Sequence, residues 1–125
     1  METILIVDDE KNYPRILSAV LEEEGFETFC ANSGYEALEI LKDVDVDLLL
    51  TDMKMPKMDG IELLEKIKDK DKDLPVIMMT AHGTVDKAVE AMQKGAYSYI
   101  LKPFDNSRLI IYVNKAIGMY RMVKE

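Results

Sequence analysis

The chain has 125 residues, 48% of them hydrophobic and 32% charged, which suits one folded domain over positions 1–125 and excludes a disordered or fibrous chain. A net charge of −8 argues against direct nucleic-acid binding, which needs clustered Lys and Arg. The short apolar runs exclude a membrane span, no secretory leader is read at the N-terminus, and the single Cys30 excludes an intrachain disulfide, so a cytoplasmic location is expected.

In chain order, Thr3–Val7 opens as an apolar strand. A first helix is predicted over 12–24, with Ile16, Leu17, Val20 and Leu21 on one face, Pro14 in its first turn and Gly25 as its stop. A second strand follows at Glu27–Ala31. Ser33 and Glu36 read as a capping box for a second helix carrying Ala37, Leu38, Ile40 and Leu41. A third strand is predicted over 47–51. Asp59 caps a third helix with Ile61, Leu63, Leu64 and Ile67 turned inward, and the acids of the following 69–73 stretch read as a solvated loop. A fourth strand spans 75–80 and a fourth helix 84–94, ending before Gly95. The fifth strand spans 97–101. A fifth helix starts near Asp105-Asn106-Ser107 and carries Leu109, Val113, Ala116, Ile117 and Tyr120 at helical spacing, with Tyr112, Tyr120 and Met122 also read as exposed and available for a contact.

Five strand–helix units with short connections predict an α/β fold. It is a single doubly wound parallel sheet of flavodoxin-like order 2-1-3-4-5, with helices on both faces. In that order strands 1 and 3 are neighbours and the winding direction changes between them, the place where such sheets bind ligands. Asp8 and Asp9 follow strand 1, and Asp52 ends strand 3. A single acid at a strand end is most often a loop residue, but three on one rim repel one another and call for a hard cation. Mg²⁺ (or Mn²⁺ in its place) takes such oxygen ligands together with phosphate. Thr80 ends strand 4 and Lys102 follows strand 5. Alone, each reads as a capping hydroxyl and a surface lysine. Together, with strand 3 between them, they can donate to phosphoryl oxygens. Asp52, single at the centre of the sheet, is then the natural nucleophile for an acyl phosphate.

With these residues in place, the chain resembles the response-regulator receiver domains of two-component systems over almost its whole length. The matching pieces are Ile4-Leu5-Ile6-Val7-Asp8-Asp9-Glu10, Leu50-Thr51-Asp52-Met53-Lys54-Met55-Pro56, Met58-Asp59-Gly60, Met79-Thr80-Ala81-His82 and Leu101-Lys102-Pro103-Phe104. Each is weak, and all five in order are highly specific. The resemblance implies Asp52 as phosphoacceptor, with Asp9 a direct metal ligand, Asp8 an acid near the metal and the Lys54 carbonyl a backbone ligand. It implies Thr80 and Lys102 on the phosphoryl group, a cis Lys102–Pro103 peptide, and Tyr99 as an aromatic switch. His82, together with the Lys54 position, would modulate acyl-phosphate lifetime. It further implies a sensor histidine kinase as partner and a homodimer contact through the fourth helix, fifth strand and fifth helix. The segments around 80–85 and 95–97 are similar to receivers of sigma-54 activators of the NtrC and DctD kind. In those, an ATPase and a DNA-binding domain lie downstream.

Two other functions are weighed on the same residues. A phosphohydrolase of the haloacid-dehalogenase type carries an acid two residues after its nucleophile, where this chain has Lys54. A pseudo-receiver would have lost members of the acid, hydroxyl and lysine set that this chain retains. The nine methionines read as core filler, with Met55 and Met58 assigned to a partner-facing loop. No G-x-x-x-x-G-K-[ST] pattern is present, so nucleotide binding is not expected.

Overall fold

In the computed structural model, which describes residues 1–81 and 85–124, strand and helix alternate from end to end. The elements are β1 (Thr3–Val7), α1 (Tyr13–Glu23), β2 (Glu27–Ala31), α2 (Gly34–Asp43), β3 (Leu48–Asp52), α3 (Gly60–Lys70), β4 (Val76–Thr80), α4 (Val85–Gln93), β5 (Ser98–Leu101) and α5 (Asn106–Lys124). All strand pairs are parallel, in the order β2-β1-β3-β4-β5, as the sequence predicts. The central strands are buried on both faces, which explains their successive apolar residues.

Alternation along the strands divides the core in two. Leu5, Val7, Leu49, Val76 and Met78 face α2, α3 and α4, whereas Ile4, Ile6, Leu48, Leu50, Ile77 and Met79 face α1 and α5. Continuing that alternation past the strand ends, Asp8, Asp52 and Lys102 lie in phase with Ile6, Leu50 and Ile100, on the α1–α5 side. Thr80 and Tyr99 are in phase with the opposite core.

The helix ends follow local chemistry. The Glu36 N–H donates to Ser33 Oγ at 3.1 Å, half of a capping box, and the full reciprocal box forms at Asp59 and Glu62. Gly25, at φ +94°, ends α1 in the left-handed region as expected.

Four sequence expectations are corrected by packing. Ile16 is 58% exposed, so the buried stripe of α1 is Pro14, Leu17 and Leu21. Met55 and Met58 are buried; Met58 lies against Gly34 at the start of α2 and does not face a partner. Tyr120 is buried, and its O–H donates to Asp71 Oδ2 at 2.7 Å. Asp71 is accordingly not a solvated loop acid: it also pairs with Lys124 at 3.3 Å.

Candidate functional site

β1 and β3 end side by side, Val7 opposite Thr51, so the chain leaving each strand puts a carboxylate on the same rim. Asp8, Asp9 and Asp52 each offer an oxygen within 4.8 Å of the others. Their exposures differ: Asp8 is only 1% exposed, Asp52 is half-buried and Asp9 lies open to solvent. Asp8 is fixed on several sides. Its Oδ1 accepts from the Glu10 N–H at 2.9 Å, its carbonyl accepts from Asn32 Nδ2 at 3.0 Å, and its own N–H donates to the Ala31 carbonyl.

Lys102 reaches this rim from the end of β5. Its ammonium lies 2.9 Å from Asp8 Oδ2 and 3.4 Å from Asp52 Oδ1, so it pairs with both carboxylates and more closely with Asp8. The Lys102 N–H donates to the Thr80 carbonyl at 2.7 Å, and the Lys102–Pro103 peptide is cis as the resemblance implies. Burial opposes the Lys102 charge, but the hydrogen bond to Asp8 and the fields of Asp52 and Asp8 outweigh it, and the pKa is raised. Asp52 is pushed up to about 6, first by burial and then by the Asp8 charge, with Lys102 pulling the other way.

Thr80 ends β4 fully buried, and its hydroxyl has no hydrogen-bond partner among the described residues. A buried hydroxyl without a partner costs stability, and Ser98 Oγ is the other such atom among the described residues. Lys54 follows Asp52 on an exposed loop and lines, with Asp9, Met53 and Asp59, an open groove beside the acids. Tyr99, opposite Met78 on β4, is half-buried against the α4-side core and not turned out to solvent. His82 lies outside the described residues.

The donor set fits a hard divalent cation. It consists of carboxylate oxygens, one exposed acid giving access, and like charges whose repulsion a cation would relieve. Two further contacts have no counterpart in the sequence reading, which places Gly60 in the Met58-Asp59-Gly60 match and gives Tyr13 no role. Gly60 begins α3 so close to β3 that a Cβ would stand 2.5 Å from the Asp52 carbonyl oxygen. Tyr13 places its ring centroid 4.4 Å from the Lys102 ammonium. A glycine after an N-cap and an aromatic in a first helical turn carry no sequence signal for either contact.

Comparison with known proteins agrees with this geometry. The family model described as "Response regulator receiver domain" matches residues 4–114. The regulatory protein AtoC of Escherichia coli strain K12 is 46% identical over 122 residues, covering 98% of this chain and 26% of that protein. Sporulation initiation phosphotransferase F of Bacillus subtilis strain 168 is 45% identical over 118 residues, covering 94% of this chain and 95% of that one. A response regulator receiver domain protein from Clostridium thermocellum superposes with a TM-score of 0.94 at 36% identity, covering 98% of this chain and 99% of that one. NtrX from Brucella abortus gives a TM-score of 0.94 at 35% identity, covering 99% of this chain and 29% of that one. The chain thus spans about a quarter of the length of several curated relatives, among them transcriptional regulators. Family match, fold and acid rim agree, and the chain belongs to the response regulator receiver domains of two-component signalling.

Proposed function

We propose that the domain is a phosphorylation switch, in which Asp52 accepts a phosphoryl group from a sensor histidine kinase. The observation that carries this reading is the convergence of three carboxylates, the Lys102 ammonium and the unpartnered Thr80 hydroxyl at the carboxyl ends of neighbouring strands. A carboxylate oxygen of Asp52 attacks phosphorus, the bond from phosphorus to the donor breaks, and the departing group takes the electron pair. The product is an acyl phosphate on Asp52. Lys102 shifts from the carboxylates to a phosphoryl oxygen, and the Thr80 hydroxyl donates to another, gaining its missing partner. Asp8, Asp9, Asp52 and the Lys54 carbonyl would hold Mg²⁺, or Mn²⁺ in its place. When bound, the ion supplies positive charge against the phosphoryl oxygens.

The output follows from Thr80 and Tyr99, which share one side of the sheet. Movement of Thr80 toward the phosphoryl group frees room beside α4, Tyr99 turns further inward, and the face made by α4, β5 and α5 repacks. That face carries a groove lined by Met92, Tyr99, Leu101, Arg108, Tyr112 and Lys115, apolar with two cations at its edge. It serves a homodimer contact or release of a downstream ATPase and DNA-binding module, in keeping with the relatives named as DNA-binding transcriptional regulators. His82 and the Lys54 side chain modulate how long the acyl phosphate lasts.

Incubation with acetyl phosphate and Mg²⁺ tests the assignment. The wild-type protein should gain one phosphoryl group and lose it slowly, and Asp52→Asn should gain none. Rapid continuous turnover would favour a phosphohydrolase. An unmodified wild type would make the domain a binding module that takes no phosphate.

A further inference from the structure

We infer that Tyr13 is a positioning residue for Lys102, its ring face holding the ammonium over the carboxylate rim while the lysine changes partners. The inference rests on the reading of Asp52 as phosphoacceptor with Lys102 as its cationic partner. Tyr13 is the first residue of α1 and packs against the core on the α1–α5 side of the sheet. The Lys102 Nζ stands 4.4 Å from the ring centroid, well inside the range of a cation–π contact. The ring is itself held in place. Phe104 meets it edge-on at 6.5 Å with the planes at 68°, Pro14 is buried beside it, and the Tyr13 N–H donates to the Glu10 carbonyl at 3.0 Å.

The plainer reading makes Tyr13 the end of the apolar stripe formed with Leu17 and Leu21, four and eight residues on. Position argues for more. Leu17 and Leu21 are almost wholly buried in the core, whereas Tyr13 is half-buried and faces the charged rim. The other groups on the Lys102 ammonium, Asp8 at 2.9 Å and Asp52 at 3.4 Å, are the carboxylates whose charge and occupancy change in the reaction. Among the described residues, the aromatic face is the contact on the Lys102 ammonium that does not change its charge. It keeps the ammonium at the rim when the carboxylates are engaged elsewhere, ready for a phosphoryl oxygen. An aliphatic side chain of similar size would fill the space but supply no attraction for a cation.

The test uses the full chain with acetyl phosphate and Mg²⁺. The Asp52 carboxylate attacks phosphorus, the donor P–O bond breaks, and acetate leaves with the electron pair. The initial rate of phosphoprotein formation is followed by intact mass for wild type, Tyr13→Phe, Tyr13→Leu and Tyr13→Met. Tyr13→Phe should stay within about twofold of wild type, and Tyr13→Leu and Tyr13→Met should be slower by roughly 3- to 10-fold. In a Lys102→Met background the Tyr13 substitutions should have no further effect. A readout independent of phosphorylation is the proton resonance of the Lys102 ε-methylene. It should be shifted upfield by the ring in wild type and Tyr13→Phe, and return toward its ordinary position in Tyr13→Leu and Tyr13→Met. If Tyr13→Leu fails to fold, Tyr13→Met carries the comparison. Wild-type rates in the folded aliphatic variants would overturn the inference, as would a Tyr13→Phe variant as slow as they are. A wild-type protein that takes no label, with the Lys102 resonance still shifted by the ring, would instead reject the phosphoacceptor reading and leave the Tyr13–Lys102 contact standing.

Discussion

Asp52 sits where burial and the neighbouring Asp8 both oppose its ionisation, and Lys102 offsets only part of that cost. Its pKa of about 6 in the folded chain stands above the ordinary 3.8. The folded state therefore holds the Asp52 proton more tightly than the unfolded chain does. The resulting stability is fully present below pH 3.8 and is lost as pH rises through about 6. Discounted for solvent screening at this half-exposed rim, the loss amounts to about 1–2 kcal/mol at pH 7.5 in the absence of divalent metal. Asp52→Asn removes it. In chelator, the variant should unfold at higher denaturant than wild type at pH 7.5, and the two should converge below pH 4. A stability gap of equal size at both pH values would show that charge crowding is not its source. The same crowding explains why the site suits a cation: the fold places the acids where they destabilise the empty rim.

At the scale of elements, α3 is the part that fixes the end of β3. The Gly60 N–H donates to the Met53 carbonyl at 2.8 Å, and the Asp59–Glu62 capping box sets the direction of the helix start. A Cβ at Gly60 would stand 2.5 Å from the Asp52 carbonyl oxygen and 2.9 Å from Met53 Cα, both backbone atoms that cannot swing aside. Gly60→Ala must therefore push α3 away from β3 and displace the Asp52 backbone. A loss of about 1–3 kcal/mol in unfolding free energy is expected, together with slower labelling by acetyl phosphate. Denaturant unfolding and the labelling time course measure the two effects. A variant with wild-type values in both would mean that α3 does not position Asp52. At the opposite end of the sheet, α5 is tied down by Tyr120 and Lys124 on Asp71 and by the Arg121–Glu2 ion pair. These contacts anchor the last turns of α5 to the loop before β4 and to the start of the chain.

For the whole molecule, the sheet separates the side that carries the acid rim from the side that packs on α4. Asp8, Asp52 and Lys102 continue the strand faces that pack on α1 and α5, whereas Tyr99 packs with the α4-side core. Thr80 is in phase with Tyr99 and next to Met79, the residue opposite Asp52, and in the proposed switch it links the two sides. Beryllofluoride with Mg²⁺ mimics the acyl phosphate. It should slow amide exchange at the end of β4 and alter exchange along α4 and β5, with a change in sedimentation coefficient if the face associates with a second copy. Thr80→Val fills the same space without a donor and should abolish the exchange changes while leaving Asp52 able to take label. Identical exchange of α4 and β5 with and without the mimic would remove the proposed switch and leave the phosphoacceptor assignment untouched.

The sequence by itself determined the five strand–helix units, the strand order and the identity of the acid, hydroxyl and lysine set. Those features rest on local periodicity, capping chemistry and the rule that sites form where parallel sheets change winding direction. Boundaries shifted by a residue or so, as at β3, which starts at Leu48 and not at Asp47. Only the tertiary structure decided partners and exposure. Met55 and Met58 carry no periodic signal in their loop, and packing into the core on the α2–α4 side, for Met58 against Gly34 of α2, is what turns them inward. Tyr120 is buried because Asp71, 49 residues away, supplies the acceptor that its hydroxyl needs. The closer pairing of Lys102 with Asp8 than with Asp52, the close approach of Gly60 and the ring of Tyr13 above the ammonium arise in the same way. Each depends on the distance between segments remote in sequence, which no local pattern encodes.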